Sequence, residues 1–225
     1  VGSASGGLWK TTNAGQTWDS NTDDLPSLRV SSILIDPTNT NIMYIGTGDR
    51  DGGNAPGLGV YKSVDGGASW FVSNTGMGNN TVGQMLMHPS NPSYILAATS
   101  GGVYRSLNGG GSWSLESPSN NFKDMKFQPG NPNIVYATET SGGANFWRST
   151  DAGASWTEIL SGLSSSQRLS IAVTPADSNV VYLVSSVSSA FGGLFKSTDA
   201  GLTFAAQSTT PNILQWSENP SATGG

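Results

Sequence analysis

KSVDGGASW occupies residues 62–70, and its core, SVDGGASW (63–70), has four near-copies in the chain. They are TTNAGQTW (11–18), SLNGGGSW (106–113), STDAGASW (149–156) and STDAGLTF (197–204). All share one eight-residue template: Ser/Thr first, Asp/Asn third, Gly fifth, Ser/Thr seventh, an aromatic last. The third position falls at Asn13, Asp65, Asn108, Asp151 and Asp199, in steps of 52, 43, 43 and 48 residues. Self-similarity at such a period marks stacked supersecondary units.

A second phrase precedes every copy except the first: ILIDPTNTNIMYIGTG (33–48), MLMHPSNPSYILAAT (85–99), MKFQPGNPNIVYAT (125–138) and IAVTPADSNVVYLV (171–184). In each, short β-prone runs flank a Pro-containing turn, which is a hairpin signature. Tyr44, Leu96, Tyr136 or Tyr182 follows the Pro by seven residues. Each unit therefore holds four strands: A before the Pro, B after it, C running into the eight-residue box, and D starting at its aromatic. Four short strands in about 45 residues make a β-propeller blade. The fold class is thus all-β, a propeller of four-stranded antiparallel blades with a box turn between the third and fourth strands. The repeats divide the chain into the second half of a first blade (1–20), four blades (29–74, 82–117, 122–161 and 168–208) and a tail (209–225) that reads as a linker or the start of a further blade. Starting at strand C (GGLWK, 6–10), the first blade is expected to lack strands A and B, so the chain reads as a partial propeller, about four and a half blades of a larger protein.

The box must reverse strand C into strand D. Gly15, Gly67, Gly110, Gly153 and Gly201 can take the positive φ of such a corner. The side chains of Asn13, Asp65, Asn108, Asp151 and Asp199 can accept backbone N–H groups, as in an Asx-turn. Trp18, Trp70, Trp113, Trp156 and Phe204 are then expected to plug the space between neighbouring blades. The other reading is a calcium-binding or catalytic carboxylate. Asn in two of the five boxes favours the turn, because an acceptor tolerates that swap and a hard-cation ligand or general acid does not.

Composition narrows the function classes. The 225 residues contain no Cys, so a disulfide framework and thiolate metal sites are excluded. Net charge is −5 and the ten Lys and Arg are scattered, unlike the basic stripe of a nucleic-acid binder. No run reaches the about 20 apolar residues that span a bilayer. His88, the single His, sits beside a turn Pro and reads as a turn residue; without Cys it cannot build the usual zinc sites. No metal and no cofactor are expected. Met85 and Met87 alternate on a strand and read as core filler.

On these phrases the chain resembles the Asp-box, or bacterial neuraminidase repeat, β-propellers over nearly its whole length. The likeness is closest to multi-box secreted bacterial proteins with sortilin-like or xyloglucanase-like repeats, some of them exported by type IX secretion. The resemblance implies a secreted or cell-surface bacterial protein. Its partner would be a protein or glycan, with the secretion machinery as a further one. It also implies boxes at the blade edge, away from any catalytic site. A sialidase would need an arginine cluster and a Tyr–Glu pair, and Arg29, Arg50 and Arg168 stand in no matching motif. A photosystem assembly factor of the same repeat class would show an organised Arg patch, which is absent from the sequence.

Spacing locates the variable face. Pro to box Asp/Asn measures 28, 19, 22 and 24 residues, whereas box aromatic to next Pro measures 19, 19, 16 and 19. The B–C loops therefore carry the length variation, and in an antiparallel blade they emerge beside the D–A links. Insertions on one face mark a binding face. Its candidates are Asp49, Arg50, Asp51, Asn54, Glu139 and Phe191 from B–C loops, with Asp23, Asp24, Arg29, Asn79, Asn80, Asn120, Asn121, Lys123 and Arg168 from D–A links. In DRDGG (49–53) two carboxylates flank a guanidinium, which reads as a local ion pair in a Gly-rich loop. Asp49 or Asp51 could instead be one acid of a glycosidase pair, with Glu139 or Asp24 as the second. Two functions stay open: a non-catalytic repeat domain that binds protein or glycan or acts as a rigid scaffold, and a xyloglucanase-like glycoside hydrolase.

Overall fold

The computed structural model describes residues 1–3, 5–51, 56–140, 143–188, 190–211 and 213–214. The chain divides into two compact units, Val1–Ser117 and Pro118–Gly225. In the first unit lie β1 (Trp9–Lys10) and β2 (Asp19–Ser20), then β3 (Val30–Ile35), β4 (Met43–Thr47), β5 (Val60–Ser63) and β6 (Phe71–Val72), then β7 (Val82–His88), β8 (Asn91–Thr99), β9 (Gly102–Ser106) and β10 (Ser114–Leu115). The second unit holds β11 (Phe122–Gln128), β12 (Asn131–Glu139), β13 (Asn145–Ser149) and β14 (Thr157–Ile159), then β15 (Arg168–Val173), β16 (Val181–Val187), β17 (Ala190–Ser197) and β18 (Ala205–Ser208). Among the described residues, consecutive strands pair antiparallel into one two-stranded and four four-stranded sheets. We number these sheets first to fifth in chain order. Among the described residues no helix is long and apolar enough to cross a membrane.

Register repeats from sheet to sheet. Leu34, Leu86, Lys126 and Ala172 on the first strands face Tyr44, Leu96, Tyr136 and Tyr182 on the second. Those in turn face Lys62, Arg105, Arg148 and Lys196 on the third. A shift of one residue would turn every side chain to the wrong face, so the constant Pro-to-Tyr/Leu spacing fixes the pairing. Among the second strands β4 is buried throughout and β8 and β12 over their last five residues, whereas β6 and β10 are exposed.

The cores lie between sheets. In the first unit Tyr44 and Val60 of the second sheet pack with Val82, Met85, Ile95 and Trp113 of the third. In the second unit Tyr136 and Phe146 pack with Leu169, Leu183 and Phe204, and the Phe146 and Phe204 rings meet edge-on at 4.9 Å. Neighbouring first strands are also stapled: Ser32 Oγ accepts the Met85 N–H at 3.1 Å, and Asp124 Oδ2 accepts the Ile171 N–H at 2.8 Å. His88 accepts the Ser90 N–H and meets the Tyr94 ring at a tilt, with centroids 5.5 Å apart, at its hairpin turn.

Two expectations need correction. Within the first unit Trp18 does not plug an inter-sheet space; it is 42% exposed, where Trp113, Trp156 and Phe204 are buried. Nor does the first sheet wholly lack a strand B. Val1–Ser3 run beside residues 7–9, with Trp9 N–H donating to the Val1 carbonyl at 2.8 Å and a bridge between Gly2 and Leu8.

Candidate functional site

The acids most prominent in the sequence, those of the boxes, are consumed by the turns they sit in. In all five boxes the first-position hydroxyl donates to Oδ1 of the third-position Asp or Asn at 2.7–2.9 Å. The same hydroxyl accepts the fifth-position Gly N–H at 2.8–2.9 Å. Oδ1 also accepts the seventh-position N–H at 2.8–2.9 Å. The remaining side-chain atom meets the seventh-position hydroxyl in either sense. In the Asp boxes that hydroxyl donates to Oδ2 at 2.5–2.6 Å. In the Asn boxes it accepts Nδ2–H at 2.8 and 3.0 Å. A hydroxyl rotates to suit either partner, which is the physical reason that Asp and Asn interchange here.

Two consecutive residues of each box are left-handed. The fifth-position glycines have φ of 79–94°, and Ala14, Gly66, Gly109, Ala152 and Ala200 before them have φ of 56–71°. This fourth position is fastened at both its polar groups. Its N–H donates to the A–B turn of its own sheet at 2.8–2.9 Å in the second to fifth sheets, from Gly66 to Asn41, Gly109 to Ser93, Ala152 to Asn133 and Ala200 to Asn179. Its carbonyl takes a cation from the preceding sheet: Lys10 Nζ reaches Gly66 at 2.6 Å, Lys62 Nζ reaches Gly109 at 2.8 Å, and Arg148 Nε reaches Ala200 at 2.8 Å. Arg105 instead pairs with Glu116 of its own sheet at 2.9 Å.

Hydrogen bonding to the ionised form lowers the box carboxyls. Thr203 and Ser197 hold Asp199 at about 2. Ser69 and Ser63 hold Asp65 well below the usual carboxylate range. At Asp151 burial works against ionisation, but the bonds from Ser155 and Ser149 prevail and the carboxyl is also lowered. A folded-state pKa below the unfolded one, about 3.9, adds stability at neutral pH that is lost as the group protonates. The denaturation midpoint is therefore expected to hold above about pH 5 and to fall as pH drops through about 4 toward 2. Urea titrations across that range check this, and Asp199→Asn should flatten the decline in the second unit.

The box hydroxyl gives a second expectation. Ser197 is buried and serves three partners, so Ser197→Ala strands the Gly201 and Asp199 N–H groups and should cost about 1–3 kcal/mol. Asp151→Asn only reverses one hydroxyl and should stay within about 1 kcal/mol. Equilibrium urea unfolding of both variants checks the contrast.

At the opposite end of each sheet the B–C loops lie against D–A links. In the first unit the Gly59 N–H donates to the Asn80 carbonyl at 3.0 Å, Ser100 N–H to Thr81 at 2.9 Å and Gly48 N–H to Arg29 at 3.1 Å. In the second, Thr140 N–H donates to Asn121 at 3.1 Å and Ala144 N–H to Ser166 at 2.7 Å. Asp49, Arg50 and Asp51 form a local knot: the Asp51 N–H caps on Asp49 Oδ1 at 3.0 Å, and Arg50 Nε pairs with Asp51 at 3.3 Å. Arg50 also reaches the Gly83 carbonyl. Asn80 bridges the Met77 carbonyl and the Ser100 hydroxyl, and Asn79 accepts from Asn74. Asp23 accepts the Ser20 hydroxyl, Asp24 is exposed, and the Arg29 side chain is half-buried. Asn54 lies outside the described residues. Asp24, Asp49 and Asp51 belong to the first unit and Glu139 to the second.

Within the second unit, Arg168 and Phe191 both face Ser186 across β16. Asn120 is exposed, Asn121 takes φ 56°, and Lys123 is half-buried on β11. Glu139 is 1% exposed at the end of β12 and accepts Asn145 Nδ2–H at 2.7 Å and the Ser119 hydroxyl at 3.3 Å. The positions matching Glu139 in other sheets are Thr47, Thr99 and Ser185. Thr47 and Thr99 donate to Gly59 and Gly102 carbonyls at 2.8 Å, closing the B–C loop. The Glu139–Asn145 pair does that work in the fourth sheet.

Asn145 also borders a cavity of about 580 Å³ between the β12–β13 loop and the β14–β15 link, with walls from Phe146, Leu160, Leu163, Ser165 and Gln167. Its size falls in the range of small-ligand sites, and its lining is amide, hydroxyl and hydrocarbon without a charge. The sequence reading missed it. Its one signal is the run LSGLSSSQ (160–167), a D–A link with few hydrophobic or charged residues.

No protein-family model matches the chain, and no curated protein matches it. Solved structures do. An ancestral GH74 enzyme is 26% identical with a TM-score of 0.61 over 79% of this chain and 24% of its own. The GH74 enzyme of Niastella koreensis is 20% identical with a TM-score of 0.64 over 79% of this chain and 29% of its own. An auxiliary nutrient binding protein from Bacteroides thetaiotaomicron is 15% identical with a TM-score of 0.55 over 79% and 41%. The chain thus spans about a quarter of the length of the two GH74 enzymes. The four-stranded antiparallel sheets are β-propeller blades.

Proposed function

We propose that the chain is a non-catalytic propeller segment of the Asp-box kind, from a secreted or cell-surface bacterial protein, that binds a neutral glycan or an uncharged protein segment on its loop-rich face. The observation that carries this reading is the uncharged cavity between the β12–β13 loop and the β14–β15 link. Amide and hydroxyl groups beside hydrocarbon walls suit sugar hydroxyls and sugar faces, or a polar peptide backbone. The box carboxylates are engaged within their own turns, so they support the fold rather than a reaction. The nutrient binding protein among the similar folds is in keeping with a binding role.

The test is binding of the chain to a panel of soluble oligosaccharides and peptides by calorimetry. Ser165 is exposed at the cavity wall, and Ser165→Trp should fill the space and abolish binding without unfolding the chain. Binding that survives this change would place the ligand elsewhere.

A glycoside hydrolase is the second reading, favoured by the 26% identity to an ancestral GH74 enzyme. It requires an acid on the loop face, and Asp49 and Asp51 are the candidates. New reducing ends from a polysaccharide panel, lost in Asp49→Asn or Asp51→Asn, would establish it. No release from any polysaccharide would leave the binding reading.

A further inference from the structure

The fourth sheet departs from the others at two facing positions, one of them on the wall of the uncharged cavity. Asn145 opens β13, where the matching residues of the first, second, third and fifth sheets are Gly7, Gly59, Gly102 and Gly193. Those glycines have φ of 74–138°, and Asn145 does not share their left-handed backbone. Opposite Asn145 stands Glu139, where the second, third and fifth sheets have Thr47, Thr99 and Ser185. Loop closure alone does not call for this pair. Thr47 and Thr99 close their loops with a neutral hydroxyl, whereas a carboxylate that is 1% exposed is costly to bury.

What the pair adds is a direction. Both Glu139 oxygens accept: Oε1 from Asn145 Nδ2–H at 2.7 Å and Oε2 from the Ser119 hydroxyl at 3.3 Å. A carboxylate has no proton to give, so the Asn145 amide turns its NH2 to Glu139. Its Oδ1 has no hydrogen-bond partner among the described residues and is not sealed from outside. Asn145 lines the cavity, and Oδ1 is the group it has left to offer there. Gln167 on the other wall is fixed in the opposite sense: its Oε1 accepts the Ser188 N–H at 2.6 Å, which leaves its Nε2–H groups as donors. The cavity thus presents one oriented acceptor and one oriented donor, both neutral, beside the hydrocarbon of Leu160 and Leu163. Ligand hydroxyls, which give and accept alike, match both. A peptide would instead pair along a strand edge, and β14 ends at Ile159, where the cavity begins.

Given the cavity as the ligand site proposed above, we infer that its ligand is a neutral saccharide that donates a hydroxyl to Asn145 Oδ1. Asn145 is the specificity-determining acceptor, and Glu139 is the positioning residue that holds it in that sense.

Calorimetry and saturation-transfer NMR with methyl β-glucoside, methyl α-mannoside and methyl β-galactoside, and with the singly deoxyfluorinated forms of each, test this. Fluorine fills the place of a hydroxyl but cannot donate. At least one glycoside is expected to bind, and fluorine at one ring position should weaken it at least about tenfold, the scale of an acceptor left unmet. Glu139→Gln can give an N–H to Asn145 Oδ1, and should bring hydroxyl and fluorine at that position to within about twofold of each other. Asn145→Gly, which installs the residue of the other sheets, should remove the same preference. A purely structural loss would weaken both forms alike and leave their ratio unchanged. Near-ultraviolet circular dichroism confirms that both variants are folded. Glycoside binding that Ser165→Trp abolishes, but with no position at which fluorine matters, would overturn the inference and keep the cavity as the site. So would a fluorine preference that both folded variants retain. Absence of glycoside binding would overturn the saccharide class, and binding of an uncharged hexapeptide of alternating serine and glycine in its place, lost in Ser165→Trp, would still keep the cavity. Glycoside binding that survives Ser165→Trp would overturn both.

Discussion

Gly162→Ala is expected to cost the second unit at least about 3 kcal/mol, a large share of an ordinary domain's stability. Gly162 lies in the link between β14 and β15, with φ of 77°. A Cβ there would fall 1.7 Å from the Phe204 carbonyl oxygen, a backbone atom that no rotamer change can remove. The left-handed conformation alone costs an alanine about 1–2 kcal/mol. Moving the link to relieve the clash would break the bond from the Phe204 N–H to the Ser161 carbonyl, 3.1 Å long, and strand a buried donor. The first unit has the same arrangement: a Cβ on Gly76 would clash with the Trp113 carbonyl oxygen, and the Trp113 N–H donates to the Thr75 carbonyl at 2.9 Å. Gly130, with φ of 78° and no atom within 4 Å of its would-be Cβ, is the control, and Gly130→Ala should cost only about 1 kcal/mol. Urea unfolding followed by tryptophan fluorescence separates the two outcomes.

Trp113→Ala is expected to cost about 3–5 kcal/mol, and Trp18→Ala less than about 1 kcal/mol, although both fill the last position of the same template. Trp113 is 5% exposed, packs with Tyr44, Val82 and Ile95, and donates its indole N–H to the Ser73 carbonyl at 2.7 Å. Truncation leaves a cavity and an unmet carbonyl. Trp18 is 42% exposed, so truncation removes little buried surface. Equal costs at the two positions would mean that the first box is covered in solution as the third is.

The alternation of strands and the box corners were legible because they repeat within one blade. The Pro-to-Tyr distance of seven carried the register, and the template carried the Asx-turn. What escaped notice lies between blades. Nothing in Ala14, Ala152 or Ala200 announces a positive φ, since alanine prefers the opposite sign. The fourth box position is left-handed because its N–H and carbonyl are claimed by different elements. Nothing in Lys62 or Arg148 announces the carbonyl that each holds on a neighbouring sheet. Gly76 and Gly162 take their meaning only from the close approach of a backbone distant in sequence. The cavity at Asn145 is formed by two loops that share no motif. Glu139 had drawn attention as a carboxylate on the variable face, and its place at a loop closure was hidden because Thr and Ser hold the matching positions elsewhere.

The reversible seventh-position hydroxyl frees each corner from electrostatic commitment. Three of the chain's fifteen acidic residues sit at such corners, and two further corners carry a neutral amide in the same geometry. Lineages can therefore drift in isoelectric point, one unit of charge per blade, while the architecture stays put. Surface potential along the rim becomes a quantity that selection can adjust for solubility or for the company the protein keeps, without renegotiating how the backbone bends.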